Sequence, residues 1–256
     1  LVHIINQTKP MKILVCISKT PDTTTKISFT DNNTRFNEDR VQWIVNPYDE
    51  WYSLVRALEL KEAGGGTVTV LSVGQQDYDP ILRKALAIGA DGAVRINLEP
   101  TDALAVAKQI AEYANSEGYD LVFTGKETLD YNGYQVGGMI AEYMDVPFVA
   151  TVHHLELEGD KLILDREIQG GMEVVETAMP AVISSAKDLA EQRIPNMRGI
   201  MAARTKRLQV IDPVDAAAVT EVVSYQLPEE KGACTFIDPE DAALLIEKLH
   251  SEAKII

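Results

Sequence analysis

Basic residues are scarce in this chain: 24 lysines and arginines face 39 aspartates and glutamates, a formal charge of -15 over 256 residues. A field of that sign disfavours nucleic acid and anionic membrane as partners and leaves docking to basic protein surfaces open. Cysteine is nearly absent, with Cys16 in the first apolar run and Cys234 near the C-terminus. Neither sits in a zinc or redox spacing, so a disulfide or metal framework is not expected. Histidine occurs four times, and the pair His153-His154 has no third ligand near it in sequence. No run approaches the ~18 apolar residues of a membrane span. The opening LVHIINQTKP has no long apolar core or small-residue cleavage site, which reads as a cytoplasmic protein carrying an upstream extension over residues 1–10. Missing too are a Walker A loop, a G-x-S-x-G elbow, an H-E-x-x-H helix and a G-x-G-x-x-G turn after the first strand.

What is present is a regular alternation. Short apolar runs at Met11–Ser18, Thr67–Val73, Gly92–Ile96, Leu121–Thr124 and Pro147–Ala150 read as buried parallel strands. Helical segments fall between them: one opened by Asn46 as cap and Pro47 as first helical residue, others over Ile81–Ile88, Ala103–Asn115 and about Gly133–Met144. This predicts a doubly wound, mainly parallel, Rossmann-like α/β sheet over residues 11–187. After Thr151 the period changes. His154–Ile168 alternates around Glu158-Gly159-Asp160 and reads as a β-hairpin, followed by strands at Met172–Thr177 and Pro180–Ser184. Residues 188–256 show little periodicity, and we expect an extended C-terminal arm that packs on the body or on a partner.

Chemistry is then to be sought in loops at strand C-termini, where open α/β sheets hold nucleotides. The stretch Tyr119–Pro147 is the strongest: a strand, Gly125, a polar loop and a helix whose free N–H groups suit phosphate. Cys16-Ile17-Ser18, Asn46-Pro47-Tyr48-Asp49 and Ser72-Val73-Gly74 can converge on the same crevice. Each alone is equally an ordinary connection before a capped helix; four in one architecture favour an adenine nucleotide. A regulatory nucleotide-binding protein or a nucleotide-cleaving enzyme of this shape remains open on these residues.

Three blocks resemble the β subunit of electron transfer flavoprotein from about Met11 onward. They are Asn46-Pro47-Tyr48-Asp49 leading into a helix with Leu60-Lys61-Glu62; the loop GKETLDYNGYQVG; and Arg166-Glu167-Ile168-Gln169-Gly170-Gly171-Met172-Glu173 followed by Met179-Pro180-Ala181-Val182-Ile183. The last continues into Leu189–Arg193 and Ile200–Arg204, in the family's order. The resemblance implies an electron carrier paired with an α subunit that holds FAD, plus an adenine nucleotide in this subunit: AMP in one family type, a second FAD in the electron-bifurcating type. It implies nucleotide contacts at Cys16, Asn46, Val73, Gly125, Tyr131, Gly133, Tyr134, Gln135 and Val136, with the Gly133–Gln135 N–H groups on phosphate. It further implies that Glu167, with Arg166, faces the mobile flavin domain of the α subunit. Arg193, Met197, Ile200 and Met201 would dock acyl-CoA or other flavin dehydrogenases. Where the bifurcating type reads D-G-D-T-A-Q-V, this chain has Asp130-Tyr131-Asn132-Gly133-Tyr134-Gln135-Val136. The Gln-Val pair follows that type; the two tyrosines and the missing threonine follow neither.

Overall fold

A computed structural model describes residues 10–230 and 232–256, so the expected upstream extension lies, but for Pro10, outside the described residues. In chain order the elements begin with β1 (Met11–Cys16), β2 (Lys19–Pro21), β3 (Phe29–Thr30), β4 (Arg35–Phe36) and β5 (Trp43–Val45). Then come α1 (Glu50–Gly64), β6 (Gly66–Val73), α2 (Asp79–Ile88), β7 (Gly92–Ile96), α3 (Ala103–Glu117), β8 (Leu121–Gly125) and α4 (Val136–Met144). The remainder is β9 (Phe148–Glu158), β10 (Lys161–Ile168), β11 (Gly171–Ala178), β12 (Ala181–Ser185), α5 (Met197–Ala203), β13 (Leu208–Ile211) and α6 (Ala242–Lys248).

The chain forms two compact units. The larger, which takes in the described residues up to 27 and then 38–222, is built on a nine-stranded sheet in the order β11-β10-β9-β12-β8-β1-β6-β7-β13. Strands β12 through β13 run parallel, and β9 carries the antiparallel β10 and β11 at one end. The period of two along each strand sorts the core into two layers. Ile13, Val15, Val68, Val70, Leu121 and Phe123 pack with Leu54 and Leu58 of α1 and Leu82 and Leu86 of α2. Leu14, Cys16, Leu71, Val73 and Val122 pack on the opposite face with Ile110 and Ala114 of α3 and Ile140 of α4. Helices on both faces of a parallel sheet make it doubly wound, as the alternation predicts.

The chain goes from β1 to β6 and β7 on one side, then crosses back to β8 on the other. The strand order therefore reverses between β1 and β8, and a crevice is expected at their C-terminal ends, next to Cys16 and Gly125.

Several expected boundaries move. Pro147–Ala150 and the hairpin's first strand are one continuous β9, because β12 pairs with its first half and β10 with its second. Within the stretch expected as an extended arm that packs on the body or on a partner, α5 packs on α2, and β13 joins the sheet as an edge strand parallel to β7. Helix α1 begins at Glu50, not Pro47, and α4 at Val136, not Gly133. Among the described residues no helix is long and apolar enough to cross a membrane.

The smaller unit comprises residues 28–37 and 223–256. Its β3 and β4 pair antiparallel; the Tyr225 ring stacks on Phe29 at 4.8 Å, and the Tyr225 N–H donates to Asn33 O at 2.7 Å. Asp241 caps α6 by accepting the Leu244 N–H at 3.1 Å, and a wider turn over Leu249–Ala253 extends the helix.

Candidate functional site at the β1–β8 crevice

Two side chains ahead of α1 tie down the loop that leaves β8. Asn46 is fully buried, and its Nδ2 donates to Glu127 O at 2.7 Å. Asp49 Oδ2 accepts the Glu127 N–H at 3.0 Å. Both residues are thus spent on a loop about eighty positions downstream. Asp49 occupies the N-cap position of α1, which starts at Glu50, but neither side chain makes a capping hydrogen bond. Asp49 is buried, and this raises its carboxyl above the ordinary range.

Glu50 lies at the centre. It is buried; its Oε2 accepts the Ser18 N–H at 2.8 Å and its Oε1 accepts the Ser18 hydroxyl at 2.6 Å. Burial lifts its pKa to about 7, with the negative charges of Asp49 and Asp130 adding to the rise and the Ser18 bonds opposing it. Asp130 is itself raised by burial. Gly125, the last residue of β8, allows this packing: a Cβ there would lie 2.8 Å from Glu50 Cγ and 3.1 Å from Asp49 Cβ. The crevice floor is acidic, and Lys126, paired with Glu127 at 3.0 Å, is the cation beside Asp49.

The loop from Lys126 to Gln135 turns through left-handed backbone at Asn132 (φ 47°) and Tyr134 (φ 52°). A right-handed helix cannot include such residues. The first bond of α4 runs from Met139 N–H to Gln135 O at 3.1 Å. The N–H groups preceding the helical ladder are therefore those of Val136, Gly137 and Gly138, not the expected Gly133–Gln135. Helix α4 lies close to β8: a Cβ on Gly137 would come 2.7 Å from Thr124 Oγ1 and 2.9 Å from the Phe148 ring.

Whether a nucleotide fits can be tested on the buried polar atoms. Asn46 Oδ1 and Thr124 Oγ1 are both buried without a hydrogen-bond partner. Such atoms are costly unless something donates to or accepts from them. Together with three helix-start N–H groups they provide an acceptor, a hydroxyl and an anion cradle beside one crevice, the donor set that a nucleotide uses. The residues fit.

The predicted positions divide. Asn46 bonds the loop that leaves β8, Gly125 ends that strand, and Gln135 and Val136 stand at the start of α4. Cys16 ends β1 and Val73 ends β6, both buried against the α3–α4 layer, and burial drives the Cys16 thiol far above its ordinary value. Tyr131 and Tyr134 stand outward, the first 69% exposed, with Lys126 Nζ 5.8 Å from the centre of the Tyr134 ring. Arg166 and Glu167 are not brought to this crevice. They sit at the far end of β10, three strands from β8, on the order of 14 Å at ordinary strand spacing. A register shift between Asp165 and Arg166 re-aims both, and Arg166 pairs with Glu173 across the hairpin at 3.6 Å. Glu50 was missed by sequence reasoning, since an acid in a first helical turn looks like a complement to the helix dipole. No local signal marked it, because its burial is set by Ser18, which lies 32 positions before it, and by Gly125 on a different strand.

The docking residues lie elsewhere, on and before α5. Met197 is 74% exposed, Ile194 is 83% exposed, and Ile200 and Met201 are also open to solvent. The Arg193 guanidinium spans both oxygens of Glu62 at 2.6 and 3.1 Å. His153 is half-buried and His154 exposed, and among the described residues no group of three or more His, Cys, Asp or Glu side chains is arranged to hold a metal ion.

Comparison with known proteins agrees with the resemblance seen in the motifs. A family model described as the electron transfer flavoprotein domain matches residues 34–216. A protein of Bacillus subtilis (strain 168) named electron transfer flavoprotein subunit beta is 33% identical over 260 aligned positions, covering 96% of this chain and 100% of that protein. The human protein of the same name is 31% identical over 255 positions, 96% of this chain and 99% of that one. One from Thermoanaerobacterium thermosaccharolyticum is 36% identical over 200 positions, 77% of this chain and 76% of that one. With the switch-point crevice, the buried polar pair and matches over nearly the whole chain, this protein belongs to the electron transfer flavoprotein β-subunit family.

Proposed function

We propose that this chain is the β subunit of a cytoplasmic, heterodimeric electron transfer flavoprotein, passing electrons from acyl-CoA or other flavin dehydrogenases to an acceptor. Its α-subunit partner would hold FAD at the shared interface, and the crevice described above would hold an adenine nucleotide, AMP or a second FAD. The flavin, when bound, supplies the electron chemistry; the protein's part is to position and tune it. The observation that carries the reading is the meeting of the β1, β8 and α1 loops at the reversal of strand order, in a chain of this family.

Within it Asn46 and Thr124 would bond the ligand through their unpaired oxygens, and the N–H groups of Val136, Gly137 and Gly138 would take phosphate. Gly125 keeps the floor open, Cys16 and Val73 form apolar walls, and Tyr131, Gly133, Tyr134 and Gln135 border the mouth. Glu50, with its pKa raised by burial to about 7, would leave one negative charge fewer beside an incoming phosphate in its protonated form. Glu167 and Arg166 would meet the flavin domain of the α subunit at the hairpin, away from the nucleotide. Met197, Ile200 and Met201 would form the dehydrogenase contact.

Co-expression with an α-subunit gene tests this. The expected result is a yellow one-to-one complex that on denaturation releases either one FAD and one AMP or two FAD. A colourless monomer that assembles with no α subunit would overturn it.

A further inference from the structure

Helix α5 has seven residues, too few to be stable alone in water, where helices shorter than ~12 residues are marginal. Its anchorage explains its existence. Asn196 caps it by accepting the Gly199 N–H at 2.9 Å. Its far end is bound to α2 in both directions. Arg83 Nη1 of α2 donates to Ala203 O and Lys206 O, each at 2.7 Å, at the C-terminus of α5. In return Lys206 Nζ donates to Leu86 O at 3.0 Å and Ala90 O at 2.6 Å, at the C-terminus of α2. Each helix thereby receives a cation on its terminal carbonyls from the other segment.

The crossing point is a backbone contact. A Cβ built on Gly199 would lie 2.2 Å from the carbonyl oxygen of Ala87, a backbone atom that no rotamer change can move aside. On the outer side Met197 and Met201 project to solvent. At the leading end Arg193 grips Glu62 of α1, and Leu189 is buried in the core.

We infer that α5 is a preset extension of α2, with Gly199 as the positioning residue that fixes how the Met197–Met201 surface meets a dehydrogenase. This rests on the docking reading proposed above. A preformed surface binds without the entropy loss of ordering a mobile loop. The lock is separable from the contact, because Gly199, Arg83 and Lys206 face the α2–α5 junction and not the exposed side of Met197 and Met201.

Gly199→Ala is the decisive change. In an unhindered helix alanine would stabilise over glycine through propensity alone, so the two views predict opposite signs. In the FAD-loaded αβ complex, amide hydrogen exchange over residues 197–206 should quicken about tenfold, with αβ assembly and nucleotide content unchanged. The KM for a reduced acyl-CoA dehydrogenase should rise about tenfold with kcat preserved. Arg83→Met should do the same to a smaller degree, without adding any atom at the crossing. Unchanged or slower exchange in Gly199→Ala would overturn the lock. Faster exchange with an unaltered KM would sink the positioning role and the docking assignment while leaving the helix contact intact.

Discussion

Glu50 holds Ser18 with both carboxylate oxygens, one on its N–H at 2.8 Å and one on its hydroxyl at 2.6 Å. The pair joins the start of α1 to the end of β1 at the point where strand order reverses. Among the described residues no salt bridge reaches this carboxylate, and Asp49 and Asp130 add negative charge to it. Its protonation would therefore be linked to the anion binding proposed for the crevice.

Stability should depend on pH through this residue in a definite direction. Its native pKa is about 7, above the ~4.3 of an unfolded glutamate. Below ~4.3 both states carry the proton and the contribution is whole. Between there and pH 7 the native state keeps a proton that the unfolded chain has lost, so stability declines as pH rises. The span is on the order of 3 kcal/mol. Thermal melts of the parent and Glu50→Gln from pH ~5 to ~8 should show the parent losing more stability than the variant; parallel curves would remove Glu50 as the source.

Two adjacent glycines at the start of α4 separate space from propensity. A Cβ on Gly137 meets Thr124 Oγ1 at 2.7 Å and the Phe148 ring at 2.9 Å, whereas one on Gly138 has Phe148 at 3.5 Å. Gly138→Ala should be neutral or gain up to ~1 kcal/mol. Gly137→Ala should lose roughly 1–3 kcal/mol and release nucleotide during purification, seen by chromatography of the denatured complex. Equal behaviour of the two would argue that α4 does not sit tightly on β8.

Glu167 is exposed at the end of β10, away from the crevice. Glu167→Ala should slow electron transfer in stopped-flow measurements with a flavin dehydrogenase while leaving melting temperature and bound nucleotide essentially as in the parent. Arg166→Ala removes the 3.6 Å pair with Glu173, a half-exposed contact worth ~0–1 kcal/mol. Unchanged turnover in Glu167→Ala would take the residue off the electron-transfer face.

Met197 is largely solvent-exposed on α5, so replacing it disturbs little packing. Met197→Glu places a charge in an apolar contact and should raise the KM for a dehydrogenase by roughly tenfold to a hundredfold, the weight of a central interface residue. Assembly with the α subunit, followed by gel filtration, should be intact. Normal coupling would place the docking surface elsewhere.

Much of the sheet was readable from one dimension. The strands at Met11, Thr67, Gly92 and Leu121 are apolar runs bounded by turn residues, and they fall within two residues of β1, β6, β7 and β8. The starts of α1 and α4 were misplaced for different reasons. Asn46 looks like a cap for the next helix, but its side chain bonds Glu127 in the loop after β8, and left-handed backbone at Asn132 and Tyr134 keeps those residues out of α4. Local pattern cannot reveal a partner 81 positions away. β13 was missed because Leu208–Ile211 is a four-residue edge strand with no alternation of its own; it is defined by its pairing with β7.

The sequence by itself determined the fold class, the family and which loops carry polar and glycine residues, because periodicity and motif order are properties of the chain alone. Tertiary structure decided which of those residues meet. It gathered Asn46, Asp49, Glu50, Thr124 and Gly125 at one crevice and buried Glu50 beside the negative charges of Asp49 and Asp130. It also sent Arg166 and Glu167 three strands away and fastened α5 to α2 through a carbonyl contact at Gly199. The reason is physical: burial, desolvation and backbone contact depend on what lies across the sheet, and strand order brings together residues that the sequence keeps far apart.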